Sequence, residues 1–336
     1  MRLRRVDCSA PGIRRVRRGR GFTYLDEDDD PIEDGEVRDR IRALAIPPAW
    51  TDVWICSDPR GHIQATGYDD AGRKQYLYHD AWREHRDRQK FKEMEAFAGA
   101  LPAVRERIEV ALGLRGLVRE RVLGCAIRLL DLGFFRIGSE RYAAENETYG
   151  IATLKKRQLR IERGAAVFDF RAKGSVRHVQ VVADPAVLPT LKSLKARRAG
   201  GPELFAYRNG RAWRDVRSDD INEQLKELAG EDFSAKDFRT WNATVLAAVA
   251  LAKHEPSELR ATARRRAASE AVKEVAGYLS NTPSVCRSAY IDPRVFDRFD
   301  SGETIRPALD REIDEADPGD FPDRERIERA VIRLIR

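Results

Sequence analysis

Ser280-Asn281-Thr282-Pro283-Ser284-Val285-Cys286-Arg287-Ser288-Ala289-Tyr290-Ile291-Asp292-Pro293 is the stretch on which the reading of this chain turns. Thr282 followed by Pro283 has the form of a helix start. A threonine at the N-cap accepts from the first free amides, and a proline at the first helical position lacks a hydrogen that would have no partner there. A short helix is therefore expected to deliver Tyr290. Upstream, Ser234 precedes Lys236-Asp237-Phe238-Arg239-Thr240-Trp241. Ser234 with Asp237 makes a capping box, predicting a helix from there through Lys253 with Arg239 near its N-terminus. Alone, such a tyrosine reads as a packed aromatic and such an arginine as a salt-bridge residue, so the rest of the chain must decide.

A chain of 336 residues holds one large domain or two ordinary ones. Its hydrophobic content of 42% suits a globular protein, and its charged content of 35% is high. No run of apolar residues is long enough to span a membrane, and Met1-Arg2-Leu3-Arg4-Arg5 lacks the apolar stretch of a secretory signal. Cys8, Cys56, Cys125 and Cys286 show no paired spacing, which suggests a reducing, cytoplasmic setting, and the histidines form no metal-ligand pattern. The net charge of +7 is unevenly spread. Residues 1–20 carry +7, residues 21–36 carry −8 and residues 309–336 carry −3, leaving +11 on the body of the chain. A basic body beside an acidic ribbon suits a polyanionic ligand, although a solvated arginine-rich surface would look the same.

The first ninety residues read as short strands with turns. Val53–Ser57 and His62–Thr66 flank the hairpin signal Asp58-Pro59-Arg60-Gly61, a third strand runs near Lys74–His79, and one helix covers Val37–Leu44. From Ala81 the pattern turns helical; Val118, Val122, Cys125, Ala126, Leu129 and Leu130 recur at helical spacing and stop at Gly133. Strands return at Leu159–Ile161, Val167–Phe170 and Val176–Val182, the last two joined by Lys173-Gly174. Helices resume after Ser218. Ser257 is read as the cap of one running towards Ala276, and Ile327, Ala330, Val331, Leu334 and Ile335 give the last helix one apolar stripe. The fold expected is α+β: a small N-terminal antiparallel sheet domain, residues 1–90, and a larger, mainly helical domain with a short three-stranded sheet, residues 91–336.

Four side chains, with an asparagine beside them, make chemical sense as a set. In-line attack by a tyrosine oxygen on a phosphodiester adds negative charge to the non-bridging oxygens. Arg136, set in Gly133-Phe134-Phe135-Arg136-Ile137-Gly138, and Arg239 can hold those oxygens with planar forks. An arginine among aromatic neighbours needs a partner if buried. Lys173, by default a solvated turn residue, can reach a departing oxygen from its hairpin and donate a proton. Asn281 can add a further hydrogen bond to phosphate. Tyr290, weak at a free pKa of about 10, needs such cationic neighbours to act. The scheme calls for neither a metal nor another cofactor.

Together these segments resemble the type IB DNA topoisomerases, specifically the poxvirus-like and bacterial branch. The resemblance covers Gly133–Leu154 with Tyr142 and Glu145-Asn146-Glu147-Thr148-Tyr149-Gly150, the Phe170-Arg171-Ala172-Lys173-Gly174 hairpin, Lys236–Trp241 and the tyrosine segment. It implies Tyr290 as nucleophile, Arg136 and Arg239 as the phosphate clamp, and Lys173 as the acid for the leaving oxygen. Asn281 falls where the poxvirus enzymes have histidine; asparagine keeps a donor but cannot be charged. In the N-terminal block, Gly72-Arg73-Lys74-Gln75-Tyr76-Leu77-Tyr78 resembles the strand with which the poxvirus enzymes touch DNA. Alternation puts Gln75 and Leu77 on one face and Tyr76 and Tyr78 on the other. Glutamine can read an adenine edge, and tyrosines, Arg73 and Lys74 can contact phosphate or base; a half-buried strand with two core tyrosines is the plainer reading.

The resemblance implies a monomeric, two-lobed clamp on double-stranded DNA, working in the cytoplasm at the nucleoid without a nucleotide cofactor or membrane. It would relax supercoils through a 3′-phosphotyrosine. A tyrosine recombinase shares the chemistry, but its N-terminal domain is usually a helical bundle, and a non-catalytic DNA-binding module would not need all four side chains. Deleting residues 1–20 is expected to shift DNA affinity but not the cleavage rate.

Overall fold

The computed structural model describes residues 2–133, 135–230, 233–315 and 323–336; for Arg88, Arg141, Tyr142 and residues 312–315 it describes the backbone alone. Phe134 and the side chain of Tyr142, both named in the motifs above, thus lie outside the described residues. The chain divides into two compact units, Met1–Lys92 and Glu93–Arg336.

The first unit holds β1 (Ile13–Arg18), β2 (Gly21–Leu25), α1 (Gly35–Ala43), β3 (Thr51–Ile55), β4 (Ile63–Tyr68) and β5 (Lys74–Tyr78). The strands form one antiparallel sheet in the order β2-β1-β3-β4-β5. Asp34 caps α1 by accepting from the amides of Glu36 and Val37, and Ile41 on its inner face packs with Ile13, Val53, Ile55 and Ala65. The arginine-rich leader contains a strand that alternation did not reveal. Ile13 pairs opposite Ile55, and Arg15 donates to the carbonyls of Ile46, Pro47 and Trp50 while lying 4.2 Å from the Phe22 ring centre. Deleting residues 1–20 would remove a strand from between β2 and β3, so it would act on the sheet as well as on the charge. On edge strand β5, Lys74, Tyr76 and Tyr78 share the outer face with Tyr68 of β4, and the rings of Tyr76 and Tyr78 stack at 6.1 Å.

Helix α2 (Asp80–Leu112) carries the chain into the second unit. There follow α3 (Arg119–Asp131), α4 (Glu140–Asn146), β6 (Leu159–Glu162), β7 (Ala165–Arg171), β8 (Arg177–Val182) and α5 (Leu188–Ala196). Next come β9 (Ala206–Asn209), β10 (Ala212–Asp215), α6 (Ser218–Ala229), α7 (Ala235–Ala252), α8 (Ala261–Leu279), α9 (Pro283–Ala289), α10 (Arg294–Asp300), α11 (Arg306–Glu315) and α12 (Arg324–Ile335). Strands β6, β7 and β8 make the expected antiparallel three-stranded sheet; the β9–β10 hairpin was not anticipated. The architecture is α+β, with Phe97, Phe135, Phe168, Phe238 and Trp241 at the centre of the larger core. Among the described residues no helix is long and apolar enough to cross a membrane.

Two helix starts show how local signals fare. The Asp237 carboxylate accepts from both the amide (2.8 Å) and the hydroxyl (2.9 Å) of Ser234, and α7 opens where expected. Ser257, by contrast, caps nothing. Pro256–Glu258 form a single 3₁₀ turn, the Ser257 hydroxyl is taken by Glu255, and Leu259 is extended, so α8 begins only at Ala261.

A buried ionic network ties α2, α3 and α12 together. Arg105 bonds Asp131 through Nε and Nη2 (3.0 and 2.9 Å) and Glu328 through Nη1 and Nη2 (2.7 and 2.9 Å), all three side chains being buried. Burial alone would raise the Asp131 pKa, but Arg324, Arg105 and Arg128 outweigh it and hold the carboxyl below its ordinary value. Arg105→Ala would take four hydrogen bonds from two buried carboxylates and leave them to Arg324 and Arg128, at a cost below the roughly 3–5 kcal/mol of a fully broken buried pair, read as a lower urea midpoint. The Asp131 contribution is complete above its unfolded pKa of about 3.9 and is lost as pH falls through its lower folded value. The natural protein should therefore lose stability below about pH 4 more steeply than Arg105→Ala does.

Candidate active site

Helix α8 ends because Ser280 takes a left-handed conformation (φ 50°), with the Asn281 amide folding back to Ala276 O at 3.0 Å. The last carbonyls of the helix, the negative end of its dipole, are thereby presented to two guanidiniums. Arg239, only 5% exposed, donates from Nη2 to Leu279 O at 2.8 Å. Arg136 donates from Nη2 to Ser280 O (2.8 Å), to Asn281 Oδ1 (2.7 Å) and, more weakly, to Leu279 O (3.4 Å). The backbone of Arg136 is held in turn: its carbonyl accepts from the Ile151 amide at 2.9 Å. Gly150 lies so close that a Cβ there would fall 2.6 Å from that same carbonyl oxygen.

Helix α9 starts as its sequence predicts, with Thr282 Oγ1 accepting from the Val285 amide and Pro283 in the first turn. Tyr290 closes it, its amide donating to Cys286 O at 3.1 Å. The ring of Tyr290 lies under Arg239, whose guanidinium carbon is 5.3 Å from the ring centre. Cys286, one turn before Tyr290, is buried, and burial pushes its thiol up to about 11, which keeps it protonated and inert.

Burial lowers the pKa of both arginines. Arg136 comes down to about 10 through burial and then the like charge of Arg239, with Tyr290 opposing. Arg239 is lowered by burial against an opposing contribution from Tyr290. Four donors stand buried without a partner among the described residues, and two of them, Arg239 Nε and Asn281 Nδ2, belong to this cluster; the others are Arg197 Nε and Trp241 Nε1. Because Arg136 can only donate, it fixes which end of the Asn281 amide faces it and leaves the NH₂ turned away from it. Buried donors left unpaired are costly, and an anionic oxygen at this place would satisfy both.

The structure thus brings Arg136, Arg239, Asn281 and Tyr290 together around the α8–α9 turn. Lys173 stands apart, exposed on the β7–β8 turn beside Gly174 (φ 82°). Its hairpin is fastened to the cluster by a residue that sequence reasoning missed. His178 Nδ1 on β8 lies 3.1 Å from Ser280 Oγ. Thr244 was missed as well. Fully buried on α7, its hydroxyl contacts the carbonyl of Tyr290 at 3.4 Å and accepts from the Asp292 amide at 3.1 Å. No local pattern marks either residue, since each acts through a partner distant in sequence.

In the first unit, Arg73 donates to Asp69 Oδ2 from Nε at 2.8 Å, and Gln75 Nε2 donates to the same oxygen at 2.9 Å. Lys74 lies 5.8 Å from the Tyr76 ring centre. A cavity of about 770 Å³ in the second unit, lined by Glu140, Lys155, Glu203, Asp215 and Arg217 among others, includes none of the arginine–tyrosine cluster.

A family model for the catalytic core of eukaryotic DNA topoisomerase I matches residues 79–304, about two thirds of the chain and the whole of this cluster. A second, for the N-terminal domain of bacterial DNA topoisomerase IB, matches residues 21–69. The chain belongs to the type IB DNA topoisomerases. It is 30% identical over 290 residues to the DNA topoisomerase 1B of Acanthamoeba polyphaga mimivirus, covering 83% of this chain and 85% of that protein. To the vaccinia virus (strain Copenhagen) DNA topoisomerase 1B it is 21% identical over 265 residues, 77% of this chain and 81% of the relative. To the DNA topoisomerase 1 of Schizosaccharomyces pombe it is 32% identical over 136 residues, 40% of this chain and 16% of that protein. As a topoisomerase IB, the chain is an isomerase of DNA topology.

The depressed Arg136 pKa gives the site a pH signature. An oxyanion favours the protonated guanidinium, so sulfate should compete with DNA fully only well below pH 10, and progressively less as pH rises through about 10. Sulfate competition measured from pH 8 to 11 should show this decline in the natural enzyme, and less of it in Arg136→Gln.

Proposed function

We propose that Tyr290 is the nucleophile of this topoisomerase, that Arg136, Arg239 and Asn281 hold the scissile phosphate, and that Lys173 protonates the leaving group. The observation that carries the reading is the convergence of two arginines and an asparagine on one turn beside Tyr290, with Arg239 Nε and Asn281 Nδ2 left as unpaired buried donors.

The Tyr290 hydroxyl gives its proton to water and its oxygen attacks phosphorus, forming a tyrosyl–phosphate bond as the bond to the 5′ oxygen breaks. Lys173 Nζ passes a proton to that departing oxygen. The guanidiniums stabilise the charge that builds on the non-bridging oxygens, and their preorganisation by fixed carbonyls avoids reorganisation at the moment of reaction. One diester replaces another, so the linkage is conserved. After the free end rotates, the 5′ hydroxyl attacks phosphorus and returns its proton to Lys173, while Tyr290 departs and takes a proton back from water. The reaction needs neither ATP nor metal, and a single copy of the chain carries it out. Lys173 on its exposed turn is suited to move in when DNA arrives. In the first unit the outer face of β4 and β5, with Tyr68, Lys74, Tyr76 and Tyr78, is the surface proposed to lie on the duplex, and Asp69 holds Arg73 and Gln75 beside it.

Supercoiled plasmid incubated in EDTA without ATP should be relaxed by the natural protein. Tyr290→Phe should neither relax it nor form a covalent DNA adduct, while non-covalent binding is nearly intact; adducts at natural levels would place the nucleophile elsewhere.

Removing one preorganised donor typically costs about 10²–10³ in rate, and Lys173→Ala should be slowed comparably. A 5′-bridging sulfur at the break, a leaving group that needs no proton, should restore Lys173→Ala far more than Arg239→Ala. Equal rescue of the two would remove Lys173 from the role of acid.

A further inference from the structure

Helix α12 lies beyond the catalytic-core match, which ends at residue 304. Its apolar stripe packs as the sequence suggests, with Ala330, Val331, Leu334 and Ile335 buried. It also turns two charges inward. Arg324 Nε donates to Glu328 Oε1 one turn on, at 2.9 Å. Arg324 Nη2 donates to three acceptors on two other helices: Asp131 O (2.9 Å), Asp131 Oδ1 (3.0 Å) and Asn242 Oδ1 (2.9 Å). Asn242 Nδ2 closes the set by donating to Asp131 O at 3.1 Å.

These acceptors sit at the roots of the two catalytic arginines. Asp131 is the last residue of α3, and the loop that follows carries Arg136. Gly133 in that loop has φ 87°, and a Cβ there would fall 3.0 Å from the Asn242 side chain, so the loop is pressed onto Asn242. Asn242 is on α7, three residues after Arg239, where side chains share a helix face. One guanidinium on α12 therefore bonds both elements that present the phosphate clamp. A partly buried ionic anchor is a weak source of stability, since well-packed apolar side chains of similar volume often hold as well or better. What three directional bonds add is a fixed distance.

We propose that Arg324, with Asn242, is a positioning residue that sets the spacing of Arg136 and Arg239, so that α12 is part of the catalytic apparatus without touching DNA. The inference rests on the proposed role of that pair. A misplacement of about 1 Å can cost about 100-fold in rate.

The test is single-turnover cleavage at saturating DNA, with DNA affinity measured separately and the melting temperature of each variant recorded. Arg324→Ala should cleave about 10- to 100-fold more slowly with affinity changed less than about twofold. Arg324→Lys, which keeps the charge but lacks the planar fork, should recover only part of the rate. Arg324→Ala/Asn242→Ala should be no slower than the slower single variant, because both act on Asp131. Leu101→Ala, in the buried core on α2, serves as a destabilised control and should cleave at the natural rate well below its melting temperature. Natural cleavage by Arg324→Ala, or by Arg324→Lys should the alanine variant not fold, overturns the proposal. So does an equal slowing in Leu101→Ala. If Arg136→Ala and Arg239→Ala themselves cleave normally, it is the reading of the clamp that fails.

Discussion

Two guanidiniums meet at one backbone carbonyl, Leu279 O, at the end of α8. Like charges do not gather without a reason, and here the reason is the unsatisfied negative end of a helix, which at partly buried sites can be worth up to about 2 kcal/mol to a cation. The left-handed Ser280 exposes those carbonyls, and Thr282 two residues later opens the helix that ends at Tyr290. The same turn therefore fixes the arginines and the tyrosine. Holding a clamp on neutral carbonyls also leaves its net charge intact for the substrate, which a carboxylate partner would have cancelled.

How much of this was legible in the sequence follows from how far each signal reaches. The Thr282-Pro283 helix start and the Ser234/Asp237 pair operate within three residues, and both predicted their helices. The β7–β8 hairpin was readable from alternation around Lys173-Gly174. Strand β1 was not, because Arg14-Arg15 and Arg17-Arg18 put a polar residue on both faces, and nothing local says that Arg15 will spend its fork on three carbonyls. Ser257 misled because its hydroxyl was claimed by Glu255. Thr244, His178 and Arg324 escaped notice because their partners lie 46, 102 and 193 residues away. Chemistry-bearing residues were legible as types, whereas the residues that orient them exist as such only in the folded molecule.

The first unit keeps its candidate DNA face by a different device. Asp69, held to a pKa of about 2 by hydrogen bonds from Arg73, restrains Arg73 and Gln75 through one oxygen. The stacked tyrosines of β5 occupy the opposite face of the strand. One strand thus carries a polar, restrained side and an aromatic, exposed side.

The reach of the Arg105–Asp131–Glu328 network has a consequence for how the molecule is made. Every strand pairing of the first unit closes within the first 78 residues, so that unit can fold while the ribosome is still at work on the rest. Arg105 must wait 223 residues for Glu328. Throughout that interval the nascent chain already carries Arg136, Lys173, Arg239 and finally Tyr290, yet Asp131 still lacks the helix that completes its bonding. A chain still being translated thus holds every side chain of the proposed active site, in a core that is not yet closed.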